Sequence, residues 1–265
     1  MQVLRITSRD NPLVVRLRKL AQDGAAYRKL GEIWLEGEHL CSAYRLRGGP
    51  VPQAVVCASA WEDAEVRELC SAVSRVALLP DSLFESVSGL ESPARLGFVV
   101  PWSGAGELRP GMPTVVLDRL QDAGNVGSIL RSAAALGVGQ VIALRGTAAL
   151  WSQKVLRAGM GAHFGLRLVE SAGLEALDAL GVPLVGTSSH TEAELHATVL
   201  PSPCAWVLGH EGQGVDPALQ QRCQITVRIP QPGGEESLNV AAAAAICLYE
   251  GLRQRLGREV ASGRT

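Results

Sequence analysis

The chain has 265 residues, 47% of them hydrophobic and 19% charged, with 25 Lys and Arg against 26 Asp and Glu for a formal net charge of -1. At roughly 150 residues per domain this is one large domain or two modest ones. The apolar content suffices for a packed core, which excludes disordered and fibrous classes. The near-neutral total hides an asymmetry: residues 1–31 carry a net +5, residues 32–100 a net -5 and residues 101–265 a net -1. Charge acts locally, so the total does not exclude a polyanionic partner. The six cysteines form no CxxC pair and have no His at zinc-ligand spacing, so reduced thiols and no metal are expected. The opening MQVLRITSRDNPLV lacks the order of a signal peptide, and no run of about 18 apolar residues predicts a membrane span. A cytoplasmic protein is expected.

Asn11-Pro12 reads as an N-cap followed by proline at the first helical position, with Leu13, Leu17 and Leu20 on one face of the helix. Short strand-like runs follow at 33–37, 54–59, 75–80 and 95–101, with helical stretches that include Ala60–Val73 and Pro80–Ser88. This alternation predicts a small α/β domain. PWSGAGELRPGMP (101–113) has no apolar periodicity and reads as a linker. Beyond it, TVVLD (114–118) is an apolar run of the buried parallel type. Further strands are read at 140–144, 166–170, 183–189, 204–209 and 224–230. An Ala-rich helix from Ser237 through Arg255 closes the chain, with a polar tail after Gly257. The expected fold class is α/β, with a mainly parallel sheet and helices on both faces.

In open α/β sheets ligands bind at the carboxyl ends of the strands, and three loops there are dense in glycine and polar residues. In the first, Asp118 through Ala133, Asn125 stands where it can cap the helix, Gly124 and Gly127 allow close backbone approach, and Arg131 follows near the helix start. The second, Leu208-Gly209-His210-Glu211-Gly212-Gln213-Gly214-Val215, has three glycines in six residues after an apolar strand. It is not a GxGxxG after a first strand, which disfavours a dinucleotide site. The third runs from Ile229 to Ala241; its Ser237 is a good N-cap, and Asn239 is a poor helix former in the first turn, so an orienting hydrogen bond is expected of it.

Asn125-Val126-Gly127-Ser128-Ile129-Leu130-Arg131-Ser132-Ala133, then Gly209-His210-Glu211-Gly212-Gln213-Gly214, then Ile229-Pro230 through Ser237-Leu238-Asn239-Val240-Ala241 resemble the three signature motifs of the SpoU (TrmH-like) branch of the SPOUT RNA methyltransferases. WSQKVLRAGMGAHFG (151–165) is similar to that family's segment between the first two motifs, and the opening is similar to the L30e-like domain often fused in front. The resemblance implies an L30e-like RNA substrate-binding domain (1–105), a linker (106–113), a SPOUT methyltransferase domain with a deep trefoil knot (114–256) and a tail (257–265). It implies a homodimer and an S-adenosylmethionine-dependent 2'-O-ribose methyltransferase acting on structured RNA. By the same resemblance Thr187, Ser188, Gly209, Ile229 and Leu238 hold the cofactor, and Asn125, Arg131, Glu211, Ser237 and Asn239 match catalytic or substrate-side positions. His210 stands where the family has a small or amide residue, and Ala241 where many members have Ser.

Methyl transfer to a ribose hydroxyl needs the oxygen in line with the methyl carbon and help in removing its proton. A guanidinium, with a pKa above about 12, is a poor base. Arg131 is therefore expected to clamp the target phosphate and stabilise alkoxide charge, with Ser237 and Asn239 placing the ribose and Glu211 orienting Arg131 or a neighbouring loop. The basic amino end, with Arg9, Arg16, Arg18, Lys19 and Arg28, is expected to bind RNA. By the family resemblance alone, the two-domain form leans towards ribosomal RNA. A transfer RNA substrate and a non-catalytic RNA-binding protein on the same fold remain open; a dehydrogenase lacks its glycine fingerprint.

Overall fold

The computed structural model describes residues 1–89, 94–233 and 237–262. Gly234, Glu235 and Glu236 of the third loop, and the last three residues of the expected tail, lie outside the described residues. Contacts divide the chain into two units, Met1–Gly104 with Trp151–Phe164, and Ala105–Leu150 with Gly165–Thr265.

The first unit contains β1 (Gln2–Arg5), α1 (Pro12–Gln22), α2 (Ala26–Leu30), β2 (Glu32–Glu36), α3 (Glu38–Leu46), β3 (Gln53–Cys57), α4 (Ala64–Leu69), β4 (Arg75–Leu79), α5 (Asp81–Glu85) and β5 (Leu96–Pro101). Its five strands form a mixed sheet in the order β1-β4-β3-β5-β2, with β5 antiparallel to both neighbours. Asn11 caps α1 as its sequence predicts, its side chain accepting from the Leu13 N–H at 3.0 Å, and Leu13, Leu17 and Leu20 are buried. The helix expected over 60–73 is shorter. A 3-10 turn at Ser59–Glu62 ends at Asp63, which caps α4 and is tied to Arg95 at 2.7 Å, so a tertiary ion pair resets the helix start. Likewise α5 covers only the centre of the 80–88 stretch.

The chain continues through β6 (Thr114–Leu117), α6 (Ala123–Ala135), β7 (Gln140–Leu144), α7 (Gln153–Gly159), β8 (Arg167–Ala172), β9 (Leu184–Thr187), β10 (Ala205–Leu208), α8 (Pro217–Gln220), β11 (Ile225–Val227) and α9 (Val240–Ala261). The sequence runs the second domain unbroken from 114, but by contacts α7 sits in the first unit. There the buried Gln153 amide donates to the Trp34 carbonyl at 2.7 Å, and Arg157 donates to the Gly89 carbonyl at 2.7 Å.

The second unit holds a six-stranded sheet in the order β11-β9-β10-β6-β7-β8, parallel at every pairing. Strands buried on both faces explain the near-continuous apolar runs. One face (Val116, Ile142, Leu184, Val207) packs with Leu177, Leu180 and Leu219. Trp206 points the other way, against α9 at Gly251, and α6 packs on α9. The segment read as a linker is fastened to this unit: Glu170 N–H donates to the Ala105 carbonyl at 2.8 Å, and the buried Gln140 amide bonds both backbone groups of Arg109. The tail expected from 257 is helical to Ala261, held by Arg258 on the Leu200 carbonyl at 3.0 Å and by an Arg255–Glu259 pair at 3.9 Å.

Candidate active site

The strands β11, β9, β10 and β6 are neighbours, so their carboxyl ends bring residues 187–189, 209–214 and 227–231 to one edge of the sheet. With residues 237–243 they enclose a cavity of about 310 Å³. Thr187, Ser188, Gly209, Ile229 and Leu238 all line it, as do Glu211, Ser237 and Asn239. Asn125 and Arg131 lie on α6 and are not among its lining residues. A methyl group at Gly209 would overlap the backbone of Gly214 and Val215, so this loop folds back on itself only with glycine there. The Thr187 hydroxyl donates to the Val207 carbonyl at 3.0 Å, and the Ser188 hydroxyl accepts from the His190 N–H at 3.2 Å.

Two caps differ from the sequence reading. Asp122, not Asn125, caps α6: its carboxylate accepts from the Asn125 N–H at 2.7 Å. Asn239, not Ser237, caps α9, its carbonyl oxygen accepting from Ala241 and Ala242 at 2.9 and 3.3 Å. Asp, Asn and Ser all cap well, so sequence alone does not choose between candidates two or three residues apart. The Asn125 side chain, released from the cap, and the Asn239 amide group, which capping leaves unused, form a lateral chain. Asn239 Nδ2 donates to Asn125 Oδ1 at 3.0 Å, and Asn125 Nδ2 donates to Glu211 Oε1 at 3.3 Å. Glu211 also accepts from the N–H groups of Gln121 and Asp122 at 3.4 and 3.3 Å. Burial opposes ionisation of Glu211, but hydrogen bonds from its own backbone, Asn125, Asp122 and Gln121 outweigh it, leaving the carboxyl below its ordinary pKa. Glu211 is thus bonded to residues 121, 122 and 125, and no bond between it and Arg131 is found among the described residues.

Arg131 is exposed and makes no hydrogen bond or ion pair among the described residues, and neither does the exposed Ser237 hydroxyl. His210 is a turn residue: its Nδ1 accepts from Gly212 and Gln213 N–H at 3.0 and 3.2 Å. Sequence reasoning assigned no role to Asp118 and Arg119. Asp118 is 2% exposed at the end of β6 and takes Arg119 on both carboxylate oxygens. An ionisable residue directly after a buried strand was the available signal.

The basic residues of the amino end belong to the first unit. Arg9 and Lys19 are exposed and Arg18 half-buried; Arg16 pairs with Glu32 at 3.1 Å, and the Arg28 guanidinium lies 5.3 Å from the Tyr27 ring centre. All six cysteines are thiols, five of them buried, and burial pushes Cys247, in the cavity wall, up to about 12. No helix among the described residues is long and apolar enough to cross a membrane.

A glycine-rich crevice at the carboxyl edge of a parallel sheet, lined by a few convergent polar groups, defines an α/β protein built to hold a small molecule. The sequence profile of the SpoU rRNA Methylase family matches residues 112–249. The chain is 32% identical to the 23S rRNA (uridine(2479)-2'-O)-methyltransferase of Streptomyces viridochromogenes, over 98% of this chain and 94% of that protein. It is 30% identical to the 23S rRNA (guanosine(2553)-2'-O)-methyltransferase RlmP of Bacillus subtilis (strain 168), over 83% and 88%. Among solved structures, the SpoU methyltransferase AviRb from Streptomyces viridochromogenes in complex with AdoMet matches with a TM-score of 0.83 at 27% identity, covering 93% of this chain and 98% of that one. The chain belongs to the SpoU rRNA Methylase family.

Proposed function

We propose that this protein transfers the methyl group of S-adenosylmethionine to a ribose 2'-oxygen of 23S ribosomal RNA, as a cytoplasmic homodimer. The observation that carries the reading is the convergence of the second and third family loops on one crevice, with Asn125 of the first loop joined to them through the Asn239–Asn125–Glu211 chain. The crevice fits the cofactor. Its volume is that of small-molecule sites, its walls mix backbone-rich turns with Ile229 and Leu238, and Gln231 Oε1, sealed from solvent, has no hydrogen-bond partner among the described residues. Thr187, Ser188, Gly209, Ile229 and Leu238 would hold it.

When bound, S-adenosylmethionine supplies an electrophilic methyl carbon on a sulfonium. The ribose hydroxyl must be held in line and its negative charge stabilised as the proton leaves. Arg131, whose guanidinium has no partner among the described residues, clamps the target phosphate and stabilises that charge; its guanidinium is no base. Ser237 offers to the ribose a hydroxyl that has no hydrogen-bond partner among the described residues. Asn239 has only one amide hydrogen left for the sugar, so its larger part is to fix Asn125 and, through it, Glu211 and the loop. The first unit is proposed to be the L30e-like RNA-binding domain, acting through Arg9, Arg18, Lys19 and Arg28, with Arg16 tied to Glu32. The second is proposed to carry the trefoil knot and the dimer contact. Ile246, Tyr249, Leu256 and Val260 are exposed along one face of α9, a stripe that supports that contact.

Mapping 2'-O-methyl groups in RNA from cells with and without the gene tests the reading. Loss of one ribose methyl from 23S rRNA is expected; loss from transfer RNA alone, or from no RNA, would overturn it.

A further inference from the structure

We infer that Arg119 is a positioning residue that sets the affinity for S-adenosylmethionine by latching the Gly209–Gly214 turn to the end of β6. Arg119 has φ +57°, a left-handed conformation that a non-glycine residue adopts at a cost. That conformation brings its guanidinium back onto the preceding residue: Nε and Nη2 donate to the two oxygens of the buried Asp118 at 3.0 and 3.1 Å. The remaining arm, Nη1, donates to Gln213 Oε1 at 3.2 Å, inside the turn that lines the cavity. Asp118 Oδ2 in turn accepts from the Asp216 N–H at 2.7 Å, and the Asp118 N–H donates to the Leu208 carbonyl at 2.8 Å. The turn is therefore gripped at its start by Asp118, inside by Arg119 and at its exit by Asp118 again. The bonds from Glu211 to residues 121 and 122 close the opposite side. A glycine-rich turn is mobile when unanchored, and a site that must order it on binding loses affinity by that cost. Only a planar fork can satisfy Asp118 with two donors and still reach Gln213 with a third.

The inference rests on the proposed use of S-adenosylmethionine, and the test separates the two. Calorimetric titration of S-adenosylmethionine into the full-length protein and its Arg119→Gly, Arg119→Lys and Gln213→Ala variants is run beside thermal melts. Glycine is relaxed at φ +57° but strips the buried Asp118 carboxylate of its ion pair, so Arg119→Gly melts several degrees lower and binds about tenfold more weakly. Arg119→Lys does not restore the affinity, and in turnover assays KM for the cofactor rises with KM for RNA unchanged. Gln213→Ala, at an exposed side chain, weakens binding about threefold without touching the fold. If the wild type itself does not bind S-adenosylmethionine, the proposed function fails. If the wild type binds and Arg119→Gly or Gln213→Ala binds as tightly, the latch is refuted.

Discussion

Replacing Asn239 by Asp isolates the amide chain at the rim of the crevice. Asp caps a helix as well as Asn, so the bonds to Ala241 and Ala242 persist, and the negative charge at the start of α9 adds about 0.3–1 kcal/mol. What is lost is the donor. Asn239 Nδ2 stands 3.0 Å from Asn125 Oδ1, and Asn125 Nδ2 stands 3.3 Å from Glu211 Oε1. With a carboxylate at 239, Asn125 faces two acceptors across its amide. Whichever way it turns, one hydrogen bond becomes an oxygen–oxygen contact. Losing that bond costs about 1 kcal/mol, up to about 2 where the partner is charged. Against the gain at the cap, the net destabilisation is about 1 kcal/mol, a fall in melting temperature of about 2–4 °C. Asn239→Ala loses cap and link together and should fall about 2 kcal/mol. Turnover should rank the other way. Asn239→Asp presses a second negative charge towards Glu211 and displaces Asn125, and a small misplacement costs up to about 100-fold. Melts and single-turnover methylation of 23S rRNA read the two quantities on the same samples. Wild-type turnover in Asn239→Asp would show that the chain only holds the helix start and would refute the coupling.

Glu211 has a lowered pKa in the folded protein, so its contribution is complete above the unfolded carboxyl value of about 4.3 and is lost as pH falls towards the lower folded value. Melting temperatures of the wild type should therefore drop more steeply below about pH 4.5 than those of Glu211→Gln; parallel curves would contradict this. Gly209→Ala places a methyl on the Gly214 backbone and should weaken S-adenosylmethionine binding more than tenfold by calorimetry. Arg131→Lys should lower kcat/KM at least tenfold, because an ammonium cannot clamp phosphate with a fork, and near-normal turnover would refute that role. Tyr249→Arg on the exposed face of α9 should shift the light-scattering mass from dimer towards monomer, and a wild type that is already monomeric would contradict the proposed contact.

The parallel sheet was legible because a strand covered on both faces has to be apolar along its whole length, as β6, β7 and β10 are. The edge strand β1 was not, since all four of its residues are exposed and nothing in its pattern reports burial. The cavity residues were found through glycine density and family resemblance. The true caps were hidden because Asp122 and Asn125, or Ser237 and Asn239, compete on equal terms by residue type; the tertiary structure takes the Asn125 side chain for the Asn239–Glu211 chain and lets Asn239 cap with its oxygen while its amide reaches Asn125. The segment 101–113 looked like a tether because it has no periodicity. It is held instead by backbone bonds to Glu170 and Gln140, whose side chain and strand position no composition count records. Helix α9 outran its expected end because Arg258 finds the Leu200 carbonyl, a partner 58 residues away in sequence.

The geometry of His210 gives it a physical role as a turn residue. Its Nδ1 and an asparagine Oδ1 stand the same number of bonds from the backbone, so an imidazole accepting from residues two and three further on reproduces an asparagine turn. In this chain the turn is held by an acceptor at that reach, which an imidazole or an amide can supply alike. A histidine beside a reactive crevice invites an acid–base assignment, yet here its inner nitrogen is occupied in holding backbone. Substitution by asparagine should pass unnoticed where alanine does not, and the identity of residue 210 then reports on the shape of a turn rather than on the chemistry beside it.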